Sequence, residues 1–236
     1  MIETQTIDTM EDILKMLDAR LRKPEPFWDK FYEDRTKPVP FFKNIPDENL
    51  VRYIEEGWLS PGDALDLGTG PGRNAIYLAT HGFSVTGLDL SANALDWATE
   101  QAQQTGAHVA FRKQDFLETT EQNTYDFIYD SGCFHHMAPH RRVTYVTRLK
   151  EMLRPGGYFG LTCFVAGGPL GGATLTDWEV YQENSLQGGL GYTKERLLAI
   201  FDAFDVIELT EMKPVDNPEA LFGHAGLWTG LFRLKD

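Results

Sequence analysis

The chain has 236 residues, 42% hydrophobic and 24% charged, an ordinary globular composition that can bury one sizeable core. Its 22 basic and 35 acidic residues leave a formal net charge of −13, which repels phosphate backbones and anionic lipid heads and sets nucleic acid and membrane aside as partners. Two cysteines, a polar start without a signal-peptide pattern and no apolar run near the ~20 residues of a membrane span predict a reduced, cytoplasmic protein.

Ile13, Leu14, Leu17 and Leu21 fall three or four apart and predict a helix within 8–22. Lys23-Pro24-Glu25-Pro26 breaks it. An aromatic stretch follows, Phe27-Trp28 and Phe31-Tyr32, then Pro38, Pro40 and Phe41-Phe42. Trp28, Phe31 and Tyr32 stand at near-helical spacing, which fits either core packing or a cover of ring faces over a bound cation. Asp47 is placed to cap a helix running to about Trp58.

From residue 63 short apolar runs alternate with helical patterns, the rhythm of βαβ units and a parallel sheet. Strands are predicted at 64–67, 84–88, 109–111, 127–129, 158–164, 204–210 and 226–234. Helices are predicted at 73–81, at 91–105 with Ser91 as cap, from Pro139 to Leu153, and at 193–202 from Thr193. Arg141, Arg142, Arg148, Lys150 and Arg154 read as the solvated face of one helix. Pro155-Gly156-Gly157 stops that helix and turns the chain into the fifth strand. Residues 166–192 hold seven glycines and 212–225 two prolines. Both segments leave the sheet at its carboxyl edge, where open α/β sheets bind ligands.

The first strand runs into Asp66-Leu67-Gly68-Thr69-Gly70-Pro71-Gly72 and then a helix N-terminus. Glycines let the backbone turn tightly and approach a ligand. The spacing is G-x-G-x-G rather than the G-x-G-x-x-G of dinucleotide folds. A carboxylate at Asp66 repels a pyrophosphate but suits an ammonium group, which argues against a nicotinamide-dependent oxidoreductase. Asp89 ends the second strand, where an acid accepts hydrogen bonds from ribose hydroxyls. Asp115-Phe116 follows the third strand and offers a carboxylate and a ring to a purine.

These stretches together, ALDLGTGPGRNAIYLA, VTGLDLS, the pair at 115–116, YDFIYDSGCFHH and LRPGGYFGL, resemble the class I S-adenosylmethionine-dependent methyltransferases over roughly residues 63–165. The resemblance implies a Rossmann-like doubly wound α/β sheet of seven strands, mostly parallel with an antiparallel last strand, with helices on both faces. It implies S-adenosyl-L-methionine as cofactor. Asp66 and the loop of Gly68, Gly70 and Gly72 would hold its methionine part, Asp89 the ribose, and Asp115 with Phe116 the adenine. Thr69, Arg73, Asn74, Leu90 and Asp130 fall among the implied cofactor contacts. FWDKFYEDRTKPVPFF and DSGCFHHMAPHRRVTY are similar to a bacterial branch near the thiopurine, thiol/halide and tellurite methyltransferases. On this reading residues 1–45 form a helical, aromatic lid, 46–236 the catalytic domain, and 166–192 a glycine-rich insertion over the active site.

Asp130, His135 and His136 leave the fourth strand at the carboxyl edge and are the candidate catalytic residues. A hydroxyl or amine acceptor needs one of them as base, whereas a thiolate, halide or selenide needs none. Either histidine also fits a substrate contact or a structural role. A zinc site at His135, His136 and His140 is set aside, because no further Cys or His cluster completes a tetrahedral set, and no metal is expected. The expected partner is a small-molecule acceptor. The alternatives are an O- or N-methyltransferase with a histidine base, and a non-catalytic domain that binds the cofactor alone.

Overall fold

A computed structural model describes residues 6–122 and 124–235; the first five residues of the expected lid lie outside the described residues. Eight α-helices are named here: α1 (Met10–Asp18), α2 (Pro24–Glu33), α3 (Glu48–Glu55), α4 (Arg73–Thr80), α5 (Ala92–Thr105), α6 (Arg142–Met152), α7 (Asp177–Glu183) and α8 (Lys194–Ile200). Seven strands, β1 (Asp63–Leu67), β2 (Ser84–Asp89), β3 (Val109–Lys113), β4 (Tyr125–Ser131), β5 (Leu153–Phe164), β6 (Phe204–Glu211) and β7 (Leu227–Leu234), form one sheet of order β3-β2-β1-β4-β5-β7-β6. Strands β1 to β5 run parallel, and β7 lies between β5 and β6, antiparallel to both. This is the Rossmann-like sheet expected from the sequence. Strand order reverses at β1, with β2 on one side and β4 on the other, so a crevice opens outside their carboxyl ends.

Side chains alternate across the pleat, and the central strands feed two cores. Leu65, Leu67 and Ile128 enter one, Ala64, Phe127 and Tyr129 the other. Ser91 caps α5 by accepting from the Ala94 amide, and Thr193 caps α8 by accepting from Arg196, as their types predict.

The structure corrects several local expectations. Lys23-Pro24-Glu25-Pro26 starts a helix instead of ending one: α1 stops earlier, at Asp18, and Pro24 sits at the first position of α2, where its missing N–H costs no hydrogen bond. Asp47 occupies the cap position of α3 but makes no side-chain cap bond, because its carboxylate turns into the interior. Pro155-Gly156-Gly157 lies within β5, where the pairing with β4 shifts register after Tyr125. Helix α7 falls inside the glycine-rich segment. Arg141 and Arg142 are not a solvated face; Arg141 pairs with Asp18, and Arg142 is buried against Asp177 and Tyr192.

The N-terminal segment spans the crevice. At one end Asp18 accepts from His140 Nε2 at 2.8 Å and pairs with Arg141, while Arg20 donates to Asn184 at 2.9 Å. At the other end Asp29 accepts from the Asn93 amide and the Ser91 hydroxyl at the start of α5. Among the described residues no helix is long and apolar enough to cross a membrane. These polar contacts are few and lie at or just below the surface, where such contacts open readily. Residues 6–45 and 166–192 are therefore expected to gain amide protection when S-adenosylhomocysteine is added, as hydrogen exchange measures. Unchanged protection in both segments contradicts a lid.

Candidate active site

The glycine loop after β1 is built by backbone conformations that side chains resist. Gly68, Gly70 and Gly72 have φ of +61°, +53° and +83°. A Cβ on Gly68 meets Cys133 at 2.8 Å, and one on Gly70 meets the Tyr32 hydroxyl at 2.8 Å. The loop and the α4 N-terminus line a cavity of about 1140 Å³ at the switch point.

Three carboxylates at strand ends face this cavity. Asp66 is buried and accepts one hydrogen bond, from the Thr69 hydroxyl at 2.6 Å. Desolvation pushes its pKa up to about 7, and the nearby Asp47 and Asp130 add to the rise. Asp89 accepts from the Gly70 amide at 2.9 Å and the Ser91 amide at 2.8 Å, one bond on each oxygen. Burial raises its pKa, and each oxygen keeps a free lone pair. Asp115 accepts from Leu117 at 2.8 Å, and burial raises its pKa too. Phe116 and Leu90 also line the cavity, Phe116 with its ring edge-on to Tyr145.

Arg73 and Asn74 line the cavity but spend their polar groups on the scaffold. Arg73 Nη1 lies 2.6 Å from Asp47 Oδ1, in a pair 7% and 0% exposed, and Nη2 donates to Ser131 at 2.9 Å. Asn74 donates to Asp47 Oδ2 at 3.1 Å and accepts from the Asp47 amide at 3.0 Å. The Tyr129 hydroxyl donates to the same Asp47 oxygen at 2.6 Å.

Asp130 does not line the cavity. Fully buried, it accepts from the amides of Cys133 and Phe134 and from the Tyr145 hydroxyl at 2.7 Å. Burial raises its pKa to about 6 against those bonds. His135 and His136 both line the cavity, joined Nε2 to Nε2 at 3.0 Å. His135 stacks on Phe164 with ring centres 3.7 Å apart, and Trp28 meets His136 edge-on at 4.8 Å. Desolvation holds His135 well below the usual imidazole value and brings His136 down to about 4. Both are neutral at pH 7. A Cβ on Gly189 would lie 2.9 Å from the Phe164 ring and 3.1 Å from His135, so the glycine-rich segment closes on the stack only without a side chain there. His140 stands apart, bonded to Asp18 and to Tyr181 at 2.7 Å. Of the three N-terminal aromatics, Trp28 and Tyr32 line the cavity. Phe31 packs among Phe41 and Phe42.

Residues 64–157 match the family profile of a methyltransferase domain. Over 157 residues the chain is 32% identical to EEF1A lysine methyltransferase 2 of Danio rerio, a match covering 58% of this chain and 66% of that one. Over 158 residues it is 27% identical to the probable thiol methyltransferase 2 of Arabidopsis thaliana, covering 64% of this chain and 69% of that one. The chain belongs to the class I S-adenosylmethionine-dependent methyltransferases. The matches span about two thirds of each relative's length. A solved structure concerned with conversion of a disulfide bond into a thioacetal group during echinomycin biosynthesis shares the fold, with a TM-score of 0.71 at 24% identity over 90% of this chain and 92% of that one.

The cavity of this methyltransferase fits the cofactor's chemistry. A buried carboxylate with no ion-pair partner among the described residues, Asp66, suits an ammonium group. Loop glycines at 68 and 70 leave room that a Cβ would fill. Asp89 keeps acceptor capacity for a diol, and Asp115 keeps it for an amino group.

The raised pKa of Asp66 sets two pH effects of known sign. The ammonium prefers ionised Asp66, so affinity for S-adenosylmethionine is expected to weaken as pH falls below about 7, approaching tenfold per unit by about pH 5.5. Calorimetry reads this, and Asp66→Asn should bind weakly and without that slope. Without ligand the sign for stability is opposite. The folded state binds more protons than the unfolded chain between about pH 4 and 7, so Asp66 costs stability as pH rises through that window. Ligand-free Asp66→Asn should therefore melt higher than wild type at about pH 8, by ~2–4 °C per kcal/mol relieved. A pH-independent affinity in wild type contradicts the assignment.

Proposed function

We propose that the protein transfers a methyl group from S-adenosyl-L-methionine to a small soft nucleophile, a thiol or a related sulfur, selenium or halide species. Asp66 and the Gly68–Gly72 loop hold the amino-acid part of the cofactor, Asp89 with Leu90 the ribose, and Asp115 with Phe116 the adenine. Residues 6–45 and 166–192 cover the site, and the domain that begins at residue 46 carries it. When bound, the cofactor supplies a methyl carbon on a sulfonium, so the acceptor's lone pair forms the new bond while the old bond's electrons return to sulfur.

One observation carries the choice of acceptor: the three candidate bases are occupied or weak. Asp130 already accepts three hydrogen bonds and lies outside the cavity wall. His135 and His136 bond to each other and are poor bases, because His136 sits near 4 and His135 is strongly depressed. A base works best with a pKa near the working pH. An acceptor that ionises by itself needs none, and orientation supplies the rest, ~7–11 kcal/mol of barrier in well-aligned cases. The similarity to a protein named as a thiol methyltransferase supports the same choice. Trp28, Phe164 and the two neutral imidazoles keep water from the acceptor and fix its approach.

His135→Ala and His136→Ala should each lower kcat less than about tenfold, with rate following the acceptor's own ionisation. Loss of a general base instead lowers turnover ~10²–10⁴-fold. Such a loss, with cofactor affinity intact, overturns the soft-acceptor reading and favours an oxygen or nitrogen acceptor.

A further inference from the structure

The cavity wall carries six basic side chains, Arg22, Lys23, Arg73, Lys113, Arg141 and Arg148. Four are matched to carboxylates: Arg73 to Asp47, Lys113 to Glu25, Arg141 to Asp18 and Glu11, and Arg148 to Glu151. Among the described residues Arg22 and Lys23 have no carboxylate within 4.0 Å. Lys23 caps α2 by position only. Arg22 is held: its guanidinium carbon lies 3.2 Å from the centre of the Phe27 ring. Stacking fixes the guanidinium plane and leaves its edge N–H groups free to donate. Its charge reaches His136 and helps keep that imidazole neutral.

Two further features describe what this cation faces. The cavity, about 1140 Å³, exceeds the ~300–1,000 Å³ of a site for one drug-sized ligand. Space therefore remains beside the cofactor for an acceptor much larger than a halide ion. Leu21, Trp28, Met137, Phe164 and Leu186 line the same cavity as Arg22 and the two neutral histidines and give its wall apolar surface. Asp66, Asp89 and Asp115 stand at the strand ends, and Glu11, Asp18 and Glu25 are engaged with Arg141 and Lys113. Arg22 is the ring-stacked cation of the wall that has no carboxylate partner among the described residues.

We propose that Arg22 selects the acceptor, and that the preferred acceptor is a mid-sized, largely apolar thiol bearing a carboxylate remote from its sulfur. The carboxylate pairs with Arg22 rather than facing the strand-end carboxylates Asp66, Asp89 and Asp115, and this places the sulfur inward. The proposal rests on the methyltransferase reading above and deepens it.

The reaction test compares 4-mercaptobenzoate with thiophenol. Wild type should show the higher kcat/KM for 4-mercaptobenzoate. Arg22→Gln should lower the ratio of the two about tenfold or more, the loss expected for one charge-assisted contact. Lys23→Gln should keep the wild-type ratio. The binding test needs no turnover. With S-adenosylhomocysteine saturating, wild type should bind benzoate more tightly than benzyl alcohol, and Arg22→Gln should abolish that preference. An equal effect of Arg22→Gln on both members of each pair, a larger effect of Lys23→Gln, or no benzoate preference in wild type overturns the assignment of Arg22. If neither thiol is methylated while the benzoate preference follows Arg22, the anion site stands and the soft-acceptor reading fails.

Discussion

The buried pair of Asp47 and Arg73 is the contact on which the site is hung. Asp47 belongs to the chain before the catalytic domain's first strand, and Arg73 opens the helix that follows the glycine loop. Their pairing, with Asn74 and Tyr129 on the remaining oxygen, fixes the loop's helix against both the N-terminal segment and β4. The Arg73 guanidinium also lies over Phe222, 4.5 Å from the ring centre. Phe222 in turn exchanges backbone hydrogen bonds with Pro46 and Glu48. One ion pair thus joins four separate stretches of chain around the cavity. A buried pair of this kind contributes little net stability against an apolar alternative, yet losing one partner costs ~3–5 kcal/mol. Its value here is positional.

The cavity then follows from what desolvation does to each group. Burial raises the pKa of the carboxylates at the strand ends, so they gain most from a cation. The two imidazoles are held neutral, so they shape an apolar wall rather than supply charge. The same burial therefore acts on both sides of the reaction. It makes Asp66 costly without a ligand and ready for one, and it removes His135 and His136 as strong bases. Sites that bind charge well are commonly the sites that destabilise the empty fold.

Much of this was legible from local chemistry. Alternating apolar runs located the strands, Ser91 and Thr193 announced their helices, and the acid-then-glycine pattern at 66–72 placed the loop. These features depend on neighbours a few positions away. What was not legible depends on distance. Asp47 looks like any helix cap, because its partners Arg73, Asn74 and Tyr129 lie 26 to 82 residues further along the chain. Asp130 is readable as lying at the end of β4, but the turn that spends its Oδ1 on the amides of Cys133 and Phe134 is not. Adjacent histidines gave no sign that a short 3-10 turn would bring their ring nitrogens together. Arg141 and Arg142 looked solvated because their acidic partners come from α1 and α7. Arg22 stood at the end of the predicted helix 8–22, with nothing in sequence to mark the Phe27 ring beneath it.

The central claim is transfer of a methyl group to a soft acceptor in this cavity. Incubation of the whole protein with methyl-labelled S-adenosylmethionine and matched panels of thiols, halides, phenols and amines tests it most directly. The account predicts label in the thiol panel, identified as a methyl thioether, with phenols and amines left unlabelled. Label found only in phenols or amines would contradict it.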